Sequence, residues 1–307
     1  MRARGLLTLL VAAVTVAPAG ATEASWTRVE SMPHPRSAHA VVVARGSIYV
    51  LGGPSTAVVD RFDGTRWHRE TTLPGGILNA PAAVALGRKL YVVGGFSASS
   101  NLPVSSVRVY DVVTRKWSAA ARLPAPRGGH AAVVLGGKIH VIGGGNSTST
   151  IAAHSVYDPA ANRWSSAAPL PRAEGSPAAV ALGGRLYAIG GRSGLDDYGE
   201  VYVYDAGADR WSRGPSIPPR GTAGAAVFNG AIYLFGGESQ ARARTLGEVF
   251  RLAPGSADWT QVATMPLARN YARAVVLRKA LYVVGGSATA GNSHGALGST
   301  RVDRFTP

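Results

Sequence analysis

Cysteine is absent from this chain of 307 residues, and its absence removes disulfides, thiolate metal ligands and cysteine nucleophiles together. Stability has to come from packing alone. Lysine is scarce as well, supplying four of the 32 basic residues, and only 17 residues are acidic, which leaves a formal net charge of +15. A field of that sign draws anionic partners. The arginines are scattered without a run, however, so the charge points only weakly to an acidic ligand. Long apolar runs are missing except at the start, where Arg2 and Arg4 precede Leu6 to Ala17 and then Pro18-Ala19-Gly20-Ala21. A basic start, a short apolar stretch and small residues before a cut site are the pattern of a secretory signal peptide, residues 1–21. Every later apolar stretch is broken by Gly, Arg or Asp, so no membrane span is expected after signal removal. Residues 22–307 are expected as a secreted or periplasmic protein acting as a monomer. Export sets nucleic acid aside as the intended partner.

Helical periodicity is also missing after residue 21, and a different regularity replaces it. Gly-Gly pairs fall at Gly52-Gly53, Gly94-Gly95, Gly143-Gly144, Gly190-Gly191, Gly236-Gly237 and Gly285-Gly286. Each pair ends a short apolar run such as Leu90-Tyr91-Val92-Val93 or Ile232-Tyr233-Leu234-Phe235. All six tryptophans, Trp26, Trp67, Trp117, Trp164, Trp211 and Trp259, fit the same period. The third unit shows its parts most clearly. His130 to Leu135 reads as a strand, Gly136-Gly137 as a turn, and the next strand ends at Gly143. Ser155 to Asp158 reads as a third strand, Pro159 to Asn162 as a turn, and Trp164 opens a fourth. Four short strands per period of roughly 45 residues make one blade of a β-propeller.

Gly-Gly, a Tyr-Asp step, Trp, Leu-Pro and an Arg-x-x-His start together resemble the kelch repeat. The step reads Tyr110-Asp111 to Trp117, Tyr157-Asp158 to Trp164 and Tyr204-Asp205 to Trp211. Units one, five and six are looser, with Phe62-Asp63, Phe250-Arg251 and Phe305. The resemblance implies an all-β, six-bladed kelch propeller in one domain, 22–307. Trp26 has no Gly-Gly before it, and the sixth Gly-Gly has no Trp after it. The N-terminal strand is therefore expected to close the sixth blade, which removes an exposed edge. The glycines are expected to clear room for neighbouring strands and the indole.

Strand direction gathers the long loops on one face: Phe96 to Ser106, Gly145 to His154, Arg192 to Glu200, Glu238 to Glu248 and Ser287 to Ser299. Binding chemistry is expected there. Strand one lines the central channel, and Arg36, Arg127, Arg220 and Arg269 stand at its start. They either ring the mouth and take anions by bidentate bonds, or pair with backbone carbonyls and acids. Glu174 stands where other blades carry arginine, and the second blade has Ile77 and Leu78 there. Asp197 and Tyr198 share one loop, and Glu238 follows its Gly-Gly directly. Glu174 and Glu238 are the candidates for proton transfer. Phe96, Tyr198 and Tyr271 are candidate exposed contacts for a protein. His39 and His130 share a repeat position and read as packing residues, while His154 and His294 read as isolated loop residues. No histidine spacing suggests a metal, and no cofactor is expected.

The kelch resemblance implies a non-catalytic binding module for a protein or glycan, acidic or neutral, expected to bind at the loop-rich face. The alternative is a periplasmic sugar-modifying enzyme, because exported six-bladed kelch proteins include sialic-acid mutarotases, which the chain resembles in size and blade number. Copper-radical chemistry of the kind found in kelch-containing galactose oxidases is excluded, since it needs a cysteine-linked tyrosine and the chain has no cysteine.

Overall fold

A computed structural model describes residues 24–291 and 298–307. The expected signal peptide, 1–21, and His294 lie outside the described residues. Six four-stranded antiparallel sheets surround an axis. The first blade runs from its inner strand His39–Ala44 through Ser47–Gly52 and Val58–Phe62 to the outer Trp67–Thr72. The inner strands of the next five are Ala82–Leu86, Ala131–Leu135, Ala178–Leu182, Gly224–Phe228 and Arg273–Leu277. In the sixth sheet the order from the outside is Ser25–Arg28, Val302–Thr306, Ala280–Val284, Arg273–Leu277. The N-terminal strand therefore closes the last blade, with Trp26 opposite Phe305. Among the described residues there is no helix.

One blade cannot bury both of its own faces. Six apolar clusters solve this, one at each blade-to-blade interface. Between the second and third blades, for example, Val84, Val93 and Val109 meet Ile139, Val141 and Tyr157. Full burial of each such side chain contributes about 1.5–3 kcal/mol, so the interfaces rather than the isolated sheets hold the ring.

The repeat residues carry the interlock. The second glycine of each pair donates its N–H to the next blade at a fixed position: Gly53 to Leu78, Gly95 to Arg127, Gly144 to Glu174, Gly191 to Arg220, Gly237 to Arg269 and Gly286 to Arg36. The last bond closes the circle. A Cβ on Gly94 would come within 2.5 Å of the Arg127 carbonyl and 2.8 Å of the His130 ring. So the glycines make room for the neighbouring blade's backbone, as the sequence suggested, but not for the indole, which the sequence also suggested. The tryptophans bind the preceding blade instead. Trp67, Trp164, Trp211 and Trp259 donate Nε1–H to the carbonyls of Glu30, Ala121, Ala168 and Pro215, and Trp117 donates to Thr71 Oγ1. His39 and His130 are buried at equivalent places, in keeping with packing roles. His154 is not a loop residue. It opens the strand His154–Asp158, is buried, and lies 2.9 Å from the His140 ring nitrogen.

Candidate functional site

The channel is narrow because alanines line it, among them Ala40, Ala82, Ala131 and Ala178. It encloses about 120 Å³, and Arg273 is the one arginine on its wall, with Nε donating to the His39 carbonyl. At the loop-rich end a chain of backbone bonds constricts the mouth. Ala80 donates to Ala38, Gly129 to Ala80, Ser176 to Gly129, Thr222 to Ser176, and Tyr271 to Thr222. All six residues hold positive φ, and five of them are not glycine. Side chains rarely accept that conformation, at about 1 kcal/mol or more each, so the rest of the ring enforces it.

Above this constriction lies a depression of about 240 Å³, walled by Phe96, Arg192, Tyr271 and Thr150 over Gly128, Gly129 and Gly175. Tyr271 is 3% exposed and reaches from the sixth blade across the axis, packing with Ala38 and Ala80 of the first and second blades. Its hydroxyl accepts from Arg192 Nη2 at 2.9 Å and lies 3.4 Å from Ser176 Oγ. Arg192 also donates Nη1–H to Glu238 Oε1 at 2.8 Å, an ion pair joining blades four and five. Glu238 is fully buried. Its Oε2 accepts from Asn270 Nδ2 at 2.7 Å and from the Gly291 N–H at 3.0 Å. Asp197 accepts from the Gln240 N–H, linking the loops of the same two blades. Burial pushes its carboxyl up, and nearby Glu238 adds to that.

The structure thus brings Glu238 and Tyr271 together, with Asp197 one loop contact away. Arg192 and Asn270 complete the group and were missed in sequence. Asn270 sits directly beside Tyr271, and Arg192 opens the loop that carries Asp197, yet nothing local distinguishes them from other loop arginines and asparagines. Tyr271 is not an exposed contact, because it is buried in the wall of the depression. Tyr198 stands elsewhere, under the Arg172 guanidinium at 3.6 Å, and Arg172 pairs with Glu200.

The four arginines do not ring the mouth. Arg36, Arg127, Arg220 and Arg269 are 0–2% exposed. Each side chain turns back into its own blade, into the gap where the second and third strands part. Arg36 donates to the carbonyls of Gly52 and Val58 and to Asp60 Oδ2, the last at 2.6 Å. Arg269 donates to the Gly285 carbonyl and to Asp303 Oδ2 at 2.6 Å. Burial draws the Arg269 guanidinium down to about 10, against the opposing pull of Asp303. Arg127 meets the Ala153 carbonyl and Ser155 Oγ. Arg220 meets the Gly236 carbonyl and the Phe250 ring. Buried, and with terminal nitrogens turned to partners inside the blades, these arginines are clamps rather than anion receptors, although Nε of Arg36, Arg127 and Arg269 has no partner among the described residues.

Glu174 occupies the same position in the fourth blade and has no such clamp. It is fully buried, and neither carboxylate oxygen has a hydrogen-bond partner among the described residues. Burial raises its pKa to about 8, with Arg172 opposing and Glu200 adding to the rise. It does not line the depression. Among the described residues no three His, Cys, Asp or Glu side chains converge as metal ligands.

Comparison with known proteins places this geometry. The profile of the KLHDC2/KLHL20/DRC7 Kelch-repeats domain matches residues 21–171 and 80–286. Human Kelch-like protein 34 is 33% identical over 128 residues, 36% of this chain and 19% of that protein. Mouse Kelch-like protein 23 is 28% identical over 110 residues, 35% of this chain and 19% of that protein. Beta-scruin of Limulus polyphemus is 27% identical over 120 residues, 35% of this chain and 13% of that protein. The match therefore spans less than a fifth of these relatives' length. Among solved structures, that of YjhT superposes with a TM-score of 0.79 at 18% identity, over 89% of this chain and 95% of the other. The profile match covers most of the residues, and the chain belongs to the kelch-repeat family of six-bladed β-propellers.

Proposed function

We propose that this protein is an exported, non-catalytic binding module that holds a protein partner on its loop-rich face, with one partner side chain seated in the mouth depression. The observation that carries this reading is where apolar surface is left in water. Four large apolar side chains are exposed among the described residues: Leu102 (56%), Val113 (52%), Leu195 (72%) and Leu267 (36%). Three of them, Leu102, Leu195 and Leu267, stand on loops of the same face as the depression, and only Val113 is on a tight turn at the other end. Apolar side chains set in a polar rim are the usual anchors of a protein interface. The polar Ser99 to Asn101 and Asn146 to Ser149 segments supply such a rim. Among the described residues lining the depression the arginine is Arg192, and it is paired with Glu238, which favours a neutral over an acidic side chain there.

The test is affinity capture from the exported fraction with the wild type and with a Leu102→Asp/Leu195→Asp double variant. Loss of a partner held by the wild type, with unchanged thermal stability, supports the reading. Equal capture by both overturns it.

The sugar-modifying alternative rests on the Arg192–Tyr271–Glu238 group beside a depression that has room for one sugar ring. It needs an acid free to exchange a proton with the ligand, and Glu238 is sealed behind Arg192 and Asn270. A thermal-shift screen against neutral and acidic sugars, followed by anomer exchange in NMR, decides it. Accelerated exchange that Glu238→Gln abolishes would replace the binding reading.

A further inference from the structure

The six blades act as controls for one another. The clamp arginine faces a fixed place on its own blade's third strand, the residue opposite the middle of the second strand. That residue is Asp60 in the first blade, Ser155 in the third, Phe250 in the fifth and Asp303 in the sixth. Each receives its arginine by a carboxylate, a hydroxyl or a ring face. The second blade reverses the arrangement. Leu78 takes the clamp position, and Arg108 stands on the third strand opposite Val92.

Arg108 has therefore moved to the acid's place without gaining an acid. Its Nη1 is buried and has no hydrogen-bond partner among the described residues, and the same holds for the neighbouring Ser106 Oγ. Burial draws the guanidinium down, and no carboxylate opposes the shift. Arg108 as a whole is partly exposed, and it is the Nη1 end that is drawn out of water without a partner, a cost that a group of opposite sign reaching it would relieve. The surroundings leave room for that. A cavity of about 420 Å³ adjoins Arg108, larger than the mouth depression, bounded by Gly75, Ser106, Trp117, Ser118 and Arg122. Ser118 and Arg122 are exposed, so the cavity opens to solvent. At Gly75, where φ is +74°, a Cβ would stand 2.8 Å from Arg108 Nη2, so the guanidinium end lies close against this turn.

We propose that this flank cavity is a binding site for a carboxylate, gripped by Arg108 with the Ser106 hydroxyl and Arg122, beside the Trp117 indole. The occupant at this register elsewhere in the chain argues for that choice: in blades one and six the guanidinium takes an aspartate carboxylate at 2.6 Å. A planar guanidinium matches a carboxylate with two parallel bonds. The carboxylate can come from a sugar acid or from an acidic peptide side chain. Ser106 ends the Phe96 to Ser106 loop, so the site adjoins the loop-rich face, but it shares no residue with the mouth depression or with Leu102, Leu195 and Leu267 and stands or falls separately from the function proposed there.

The test is NMR titration of the folded protein at constant ionic strength with glucuronate, N-acetylglutamate and glucose, following the six indole N–H signals. The expected result is saturable movement of the Trp117 signal with at least one of the two acids and none with glucose. Arg108→Gln is expected to weaken that binding about tenfold or more, and Arg108→Lys to restore part of it. Stronger binding of glucuronate assigns a sugar acid, and stronger binding of N-acetylglutamate assigns an acidic peptide. Should Arg108→Gln fail to fold, Arg122→Gln at an exposed position serves instead and is expected to weaken binding severalfold. No saturation with either acid, or unchanged affinity in the folded arginine variants, overturns the proposal.

Discussion

Replacing Arg36 with leucine strands the Asp60 carboxylate inside the first blade. Arg36 and Asp60 are both fully buried, and the guanidinium serves Asp60 and two backbone carbonyls at once. His34, more than a third exposed, keeps its ring nitrogen within 3.1 Å of both Asp60 oxygens and offsets part of the loss. Removing one partner of a buried pair costs about 3–5 kcal/mol, because the other charge stays buried without compensation. Arg36→Leu is therefore expected to lower the midpoint of urea unfolding strongly. Arg36→Leu/Asp60→Leu is expected to recover most of the loss, since an apolar pair of similar volume removes both charges. The surface pair Lys138–Asp158, half exposed at 3.4 Å, supplies the contrast: Lys138→Ala should change stability by less than about 0.5 kcal/mol. Unchanged stability in Arg36→Leu, together with lost binding of an acidic ligand, would refute the clamp and restore the ring of anion receptors.

Glu174 holds its proton to about pH 8, whereas the unfolded chain releases it near 4.5. Its contribution is thus present at low pH and lost as pH rises between those values, so Glu174→Gln should be more stable than wild type at pH 8 by about 4 kcal/mol and equal to it near pH 4, by calorimetry. Burial, aided by His140, lowers His154 from 6.5 to about 4. The unfolded chain takes up that proton first, so stability falls as pH drops from 6.5 to 4 by about 3 kcal/mol, and His154→Gln should flatten that slope. Thr222 holds φ at +62° with its hydroxyl buried and unpartnered, so Thr222→Gly should stabilise by about 1 kcal/mol, read as a raised melting temperature. Tyr271→Phe removes the acceptor for Arg192 and should cost about 1–2 kcal/mol in the same assay.

The fold was legible because its determinants are local and repeated six times. Gly-Gly, the aromatic step and Trp each recur at a fixed place, and the unmatched Trp26 revealed the closure. Face assignment followed from strand direction alone. Side-chain direction did not. Arg36 at the start of an inner strand reads the same whether it points across the mouth or back into its blade. Its partner Asp60 lies 24 residues away, in a looser repeat, and the pairing appears only when third strands are aligned blade against blade. That comparison did single out Glu174 as a departure, though not its burial. Tyr271 was named as an exposed contact, but its positive φ swings the ring over the axis, which no sequence pattern signals. Arg192 and Glu238 meet across two blades through loops without repeat order, so their pairing had no local signature.

The central claim is that partners engage the loop-rich face and leave the tight-turn face untouched. Hydrogen exchange by mass spectrometry, with and without a captured partner, tests it most directly. Slowed exchange in the loop segments 98–103, 194–197 and 240–245, with the turns 112–115, 159–162 and 206–209 unchanged, is the result this account predicts. Protection confined to those turns would contradict it.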